Sequence, residues 1–186
     1  DILVASSVPV GSGLSSSAAL EVSIGYSLLT VAGLPIDKVE LAKLCQKAEN
    51  EFVGMRCGIM DQFISCNGHH DHALMIDCRS LEKRPVPIDS RARIVVANSM
   101  VHHELASGEY NKRRASCEEA VHLLSPVLGS IKALRDVTLT GLEANKALLS
   151  DVTYRRARRI VADNARGVGA ADALAGATSG NSWGNR

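Results

Sequence analysis

Aromatic residues are scarce in this 186-residue sequence; phenylalanine, tyrosine and tryptophan together make up 3% of it. So few rings provide no platform on which nucleic-acid bases could stack. Charge of one sign is lacking as well. Lysines and arginines number 21 against 20 aspartates and glutamates, for a formal net charge of +1. Without a basic excess there is no electrostatic case for nucleic acid or for an anionic membrane surface. No apolar run is long enough to span a bilayer. The opening Asp1-Ile2-Leu3-Val4 has neither an initiator Met nor the basic region of a signal peptide, and it predicts a piece of a longer chain. Five cysteines (Cys45, Cys57, Cys66, Cys78 and Cys117) stand singly, with no Cys-x-x-Cys among them. An odd number in a chain of this length predicts reduced thiols in a cytoplasmic protein.

What is present is ordinary for a globular protein: 46% hydrophobic and 22% charged residues. The length suits one domain, or one and part of a second. Ile2 to Val8 reads as a buried strand that runs into a loop at Pro9 to Leu14. A helix follows from Ser15, with Ala19, Val22, Tyr26 and Leu29 on one face and Gly33 at its stop. Asp37 reads as the N-cap of the next helix, with Glu40 completing a capping box. Ala42, Cys45, Ala48, Glu49 and Phe52 fall near one face of it, and a third helix starts around Ile59 to Gln62. Leu74–Cys78, Pro85–Ile88 and Arg93–Ala97 read as strands. Beyond Glu109 helices dominate, roughly 109–125, 141–149 and 152–165. The change of pattern places a domain boundary near residue 90, giving domains 1–90 and 91–186. The small-residue stretch 167–186 reads as an irregular tail.

The strongest chemical signal is Pro9-Val10-Gly11-Ser12-Gly13-Leu14-Ser15-Ser16-Ser17-Ala18. Glycines let the backbone turn sharply near a ligand, and a helix N-terminus with three hydroxyls suits a phosphate. One of those hydroxyls could also ligate Mg²⁺, which keeps oxygen ligands. The loop is not a Walker A motif, since no Gly-Lys-Ser/Thr follows. Nor is it the dinucleotide fingerprint, because Ser16 stands where the third glycine belongs. On the residues alone, serines that merely cap the helix explain it equally well.

The second signal is acidic: Ala48-Glu49-Asn50, then Cys57-Gly58-Ile59-Met60-Asp61-Gln62. Phosphoryl transfer needs metal ions to neutralise phosphate charge and a group that orients or deprotonates the acceptor hydroxyl. Two carboxylates near a phosphate loop could divide those tasks. Taken alone, Glu49 reads as well as a solvated helix charge, and Asp61 as a first-turn acid complementing the helix dipole. A third signal, Ser107-Gly108-Glu109-Tyr110 before Arg113-Arg114, offers a phenol that can both donate to and accept from a polyol. His69-His70-Asp71-His72 reads as a surface turn rather than a metal site, and His102-His103 as a strand exit with neighbours on opposite faces. Arg155, Arg156, Arg158 and Arg159 read as a solvated helix face.

Pro9 to Ala18 resembles the Pro-x-Gly-x-Gly-Leu-Ser-Ser-Ser-Ala motif of the galactose, homoserine, mevalonate and phosphomevalonate (GHMP) kinases, at every defined position. Ala-Glu-Asn followed by Cys-Gly-Ile-Met-Asp-Gln, together with Ser-Gly-Glu-Tyr-x-x-Arg-Arg, is similar to the galactokinases of that superfamily. The resemblance implies an α+β GHMP kinase fold. An incomplete N-terminal domain like ribosomal protein S5 domain 2 would precede part of a ferredoxin-like C-terminal domain. It implies a galactose 1-kinase using ATP and Mg²⁺, cytoplasmic and monomeric when full length, with no nucleic-acid or membrane partner. Gly11, Ser12, Gly13, Leu14, Ser15, Ser16 and Ser17 would then hold ATP. Ser17 and Glu49 would ligate the metal, Asp61 would be the catalytic base, and Gly58, Asp61 and Tyr110 would meet the sugar. A related kinase, such as one for N-acetylgalactosamine, or an inactive sugar-sensing relative or fragment, is the alternative. Arg159 stands where the family shows His. The family's first motif, with its phosphoryl-stabilising Arg and Gly-Glu-His-x-Asp-Tyr, and its third, glycine-rich motif are not in this sequence. The resemblance therefore implies that this sequence by itself transfers phosphoryl groups very poorly.

Overall fold

The computed structural model describes residues 1–98 and 106–179. The chain divides into two compact units, Asp1–Ala106 and Ser107–Arg186, where the change of sequence pattern had pointed to residue 90. Among the described residues the structure is mixed α/β and mostly helical.

The first unit is built on helices α1 (Ser16–Val31), α2 (Lys38–Ala48) and α3 (Met60–Asn67), which pack on one another. Val22, Leu41, Ala42, Cys45, Ile59, Phe63 and Cys66 form its core. Close approach of α1 and α2 depends on Gly25, where a Cβ would lie 2.7 Å from Leu41 Cδ1. On α1, Val22 is buried and Leu29 packs against the core as its spacing predicts, but Tyr26 is exposed and Ala18 is buried instead. Asp37 caps α2 as its position suggests. Its Oδ1 accepts from the N–H groups of Val39 at 2.8 Å and Glu40 at 3.1 Å. The Glu40 side chain takes Lys43 at 2.7 Å.

After Ala48 the helix widens into a π turn, Glu49–Val53, closed by Gly54 at φ 81°. A π turn holds more residues per revolution than an α-helix, so positions beyond it rotate off the predicted face. Glu49 remains buried, but Phe52, expected on the same face, is 93% exposed.

A hairpin of β1 (His72–Ile76) and β2 (Lys83–Pro87) completes this unit, antiparallel with Ala73 opposite Val86 and Leu74 opposite Pro85. Leu74 and Ile76 pack against the helical core. Val86 is buried between exposed Pro85 and Pro87, the alternation expected of a pleated strand. Lys83 fastens the hairpin to α3, its Nζ 2.5 Å from Asn67 Oδ1 and 5.9 Å above the Phe63 ring. The strands expected at Ile2–Val8 and Arg93–Ala97 do not form: both segments lack regular structure and pair with no strand among the described residues, and Leu3 is 96% exposed. Apolar, β-branched sequence makes a strand only where another strand takes its backbone groups. Among the described residues the hairpin is the only ladder.

In the second unit, α4 (Ala106–Leu128), α5 (Leu139–Ala144) and α6 (Asp151–Ser179) surround a core of Ala120, Leu124, Leu134, Val137, Leu142, Leu149, Ala157 and Val161. The tail expected to be irregular from Gly167 is helical as far as Ser179. Five alanines between Ala170 and Ala177 supply the strongest helix-forming side chain, and Ala171 is buried. Residues 180–186 and the His102-His103 pair lie outside the described residues.

Candidate active site

The loop before α1 turns through three left-handed residues: Gly11 at φ 71°, Gly13 at φ 76° and Ser15 at φ 56°. Glycine adopts this conformation freely, whereas serine does so at a cost, and such outliers gather at ligand-binding loops. Ser12 Oγ donates to the Pro9 carbonyl at 2.8 Å and ties the loop across its base. Ser15 occupies the N-cap position of α1 but makes no side-chain cap hydrogen bond. Capping therefore does not account for it. No acidic residue sits in the first turn, so nothing there opposes the positive end of the helix. Gly11, Gly13, Leu14 and Ser17 are exposed, and Ser12, Ser15 and Ser16 half-buried.

Glu49 stands at the start of the π turn, 5% exposed, with no hydrogen-bond partner for Oε2. Asn50 Oδ1 and Gln62 Oε1 are likewise buried and unpartnered. All three are oxygens, the donor type a hard cation takes. Among the described residues no three His, Cys, Asp or Glu side chains are grouped to hold a metal. A cation drawing on these oxygens would complete its shell from phosphate and water, as Mg²⁺ commonly does.

Asp61 is half-buried in the first turn of α3, with its carbonyl accepting Ser65 Oγ at 2.8 Å. Burial pushes the Cys57 thiol up, and the negative charges of Glu49 and, more weakly, Glu21 and Asp61 push it further. One thiol thus feels all three carboxylates. Gly58 follows it directly and is exposed.

Glu21, on α1, was not singled out by sequence. Its carboxyl is raised to about 7, first by burial and then by a hydrogen bond with Glu49, and Gln62 Nε2 donates to its Oε2 at 3.3 Å. A neighbouring carboxylate disfavours the charged form, so Glu49 adds to the effect of burial on Glu21. Sequence carried one signal of it. Glu21 falls beside the stripe Ala18, Val22 and Gly25, the face of α1 that meets the other helices.

Tyr110 belongs to the second unit, on α4, and is 37% exposed. His69 and His70 lead through an exposed turn into β1, which His72 opens, with His70 Nδ1 3.0 Å from Asp71 Oδ2. Of the arginines on α6, Arg158 and Arg159 pair with Glu143 and Asp163, and Arg156 donates to Ser116 Oγ at 2.8 Å.

Residues 1–69, which hold the serine loop, Glu49 and Asp61, match the family model described as the GHMP kinases N-terminal domain. The galactokinase of Chloroflexus aurantiacus is 53% identical over 175 residues, covering 94% of this chain and 45% of its own length. That of Chloroflexus aggregans shows the same identity and coverage. Its first 69 residues thus match the GHMP kinases N-terminal domain, and over most of its length the chain is similar to galactokinases. It spans a little under half the length of these curated relatives. A crystal structure of Lactococcus lactis galactokinase complexed with galactose is also similar. Its TM-score is 0.75 at 30% identity, over 90% of this galactokinase-like chain and 43% of that one.

Proposed function

We propose that this galactokinase-like chain acts in ATP-dependent phosphorylation of a sugar at its 1-hydroxyl, with α-D-galactose as acceptor. The buried, half-satisfied Glu49 carries this reading. A carboxylate withheld from water with an oxygen to spare is costly unless a cation or donor meets it. In this reading the backbone of Gly11 to Ser17 holds the ATP phosphates at the positive end of α1. Ser17 and Glu49 hold Mg²⁺, which when bound neutralises phosphate charge. Asp61 orients the sugar hydroxyl and takes its proton, and Gly58 and Tyr110 contact the sugar. The two units correspond to parts of an N-terminal domain like ribosomal protein S5 domain 2 and of a ferredoxin-like domain. The protein works in the cytoplasm, as a monomer when full length. Support comes from the relatives' 53% identity, and from galactose in the Lactococcus structure.

Calorimetric titration with MgATP tests the nucleotide half. The chain should bind, and S17A and E49Q should each weaken binding about tenfold or more. No binding by the unaltered chain overturns the reading. ADP release on adding sugar tests the chemistry. We expect a low rate, highest with galactose, that D61N abolishes. Preference for N-acetylgalactosamine would favour the related kinase, and sugar binding without any ADP release a sensing relative.

A further inference from the structure

Asn67 and Gly68 are the one Asn-Gly pair in the sequence, and they stand where α3 ends and the chain turns toward β1. Packing demands the glycine: a Cβ there would lie 2.9 Å from the Ile64 carbonyl oxygen. The Gly68 N–H donates to that same oxygen at 2.8 Å. Asn67 is 3% exposed, and both ends of its amide are held. Its Nδ2 donates to the Phe63 carbonyl at 3.1 Å, and its Oδ1 accepts from Lys83 Nζ at 2.5 Å. Lys83 opens β2, so the second clasp comes from the hairpin rather than from α3 itself.

An asparagine followed by glycine is the pair most prone to lose its side-chain amide, because no Cβ hinders the glycine nitrogen. That nitrogen passes its proton to hydroxide and bonds to the asparagine side-chain carbonyl carbon. The carbon's bond to the amide nitrogen breaks, and ammonia leaves. The resulting five-membered imide takes up water, which opens it to aspartate or, with the main chain rerouted through the side-chain carbon, to isoaspartate. In the folded chain the attacking nitrogen is turned to Ile64, and the attacked amide is fixed to Phe63 and Lys83.

We propose that Asn67 is a latent modification site, protected by the Lys83 clasp and converted by water to aspartate and isoaspartate when the hairpin leaves α3. Either product removes the Nδ2 donor that meets the Phe63 carbonyl. Isoaspartate also lengthens the main chain by a methylene at the point where the hairpin is fastened.

Peptide mapping by mass spectrometry, on the full chain held at mildly alkaline pH, tests the proposal. Conversion at Asn67 should be at least about tenfold slower in the folded chain than in urea, since it waits on local opening. K83M changes an exposed residue and should speed conversion at Asn67 by about three- to tenfold, the worth of one such hydrogen bond, with other asparagines unaffected. Equal rates in the folded and unfolded chain overturn the proposal, as does a K83M rate no higher than that of the unaltered chain. Should K83M unfold, and so speed every asparagine alike, hydrogen exchange at the Gly68 amide of the unaltered chain decides. Conversion needs that N–H freed from Ile64 and the Asn67 side chain released as well, so folding should slow conversion at least as much as it slows exchange. A well-protected Gly68 amide beside a fast-converting Asn67 overturns the proposal.

Discussion

A thiol reacts as its thiolate, so exposure and proton affinity together decide which cysteine is attacked. Cys78 is exposed, whereas Cys45 and Cys66 are buried. Burial pushes the Cys45 thiol up to about 11. A disulfide reagent at pH 8 should therefore label one thiol per chain in a fast phase, and C78S should abolish that phase. A fast phase surviving in C78S would contradict the structure. Among the described residues Phe63 is the largest fully buried side chain, at 0% exposure in the core of the first unit. Truncation to alanine removes its transfer energy and leaves a cavity, so F63A should lower unfolding stability by about 3–5 kcal/mol in urea titrations. The loop serines and the two acids stand out in the sequence because a motif fixes their spacing. Glu21 does not, since a lone glutamate inside a helix ordinarily faces water. Only the packing of the face it shares turns it inward.

Local chemistry read well where one residue decides an element. Asp37 sets the start of α2 through two backbone bonds that hold its carboxyl below the usual aspartate range. A carboxyl held low stabilises the fold above its unfolded value and loses that contribution as pH falls through its folded value. The melting temperature of D37A should therefore lie below that of the unaltered chain at pH 7. The gap should narrow as pH drops below about 4. An undiminished gap at pH 2 would show that the cap does not act through its charge. Elements that depend on distant partners read poorly. Ile2–Val8 has the composition of a strand but, among the described residues, no strand beside it. Phe52 has the spacing of a core residue, but the π turn displaces it. The poly-small stretch after Gly167 lacks a hydrophobic stripe, and intrinsic alanine propensity still continues the helix to Ser179.

Over the whole molecule, each unit buries a core of its own and still exposes large apolar side chains, among them Leu3, Val10, Val31, Phe52 and Val95. The sequence is close to charge balance, with an isoelectric point near 7.8. Charge repulsion keeps proteins apart only when net charge is well away from zero. Light scattering should thus show self-association strongest near pH 7.8 and reduced at pH 6. Scattering that does not vary between these values would mean the exposed apolar side chains do not drive contacts. No described helix is long and apolar enough to cross a membrane.

The π turn at Glu49–Val53 has a consequence for how such a site can be gained or lost. The turn ends α2 rather than interrupting it, with Gly54 closing it before the loop that carries Cys57 and Gly58. Deleting one codon between Asn50 and Val53 would rotate the rest of the turn by about 100° around the helix axis and shorten the connection to Asp61 by one residue. The acidic group could thus be taken apart by a change that removes none of its carboxylates.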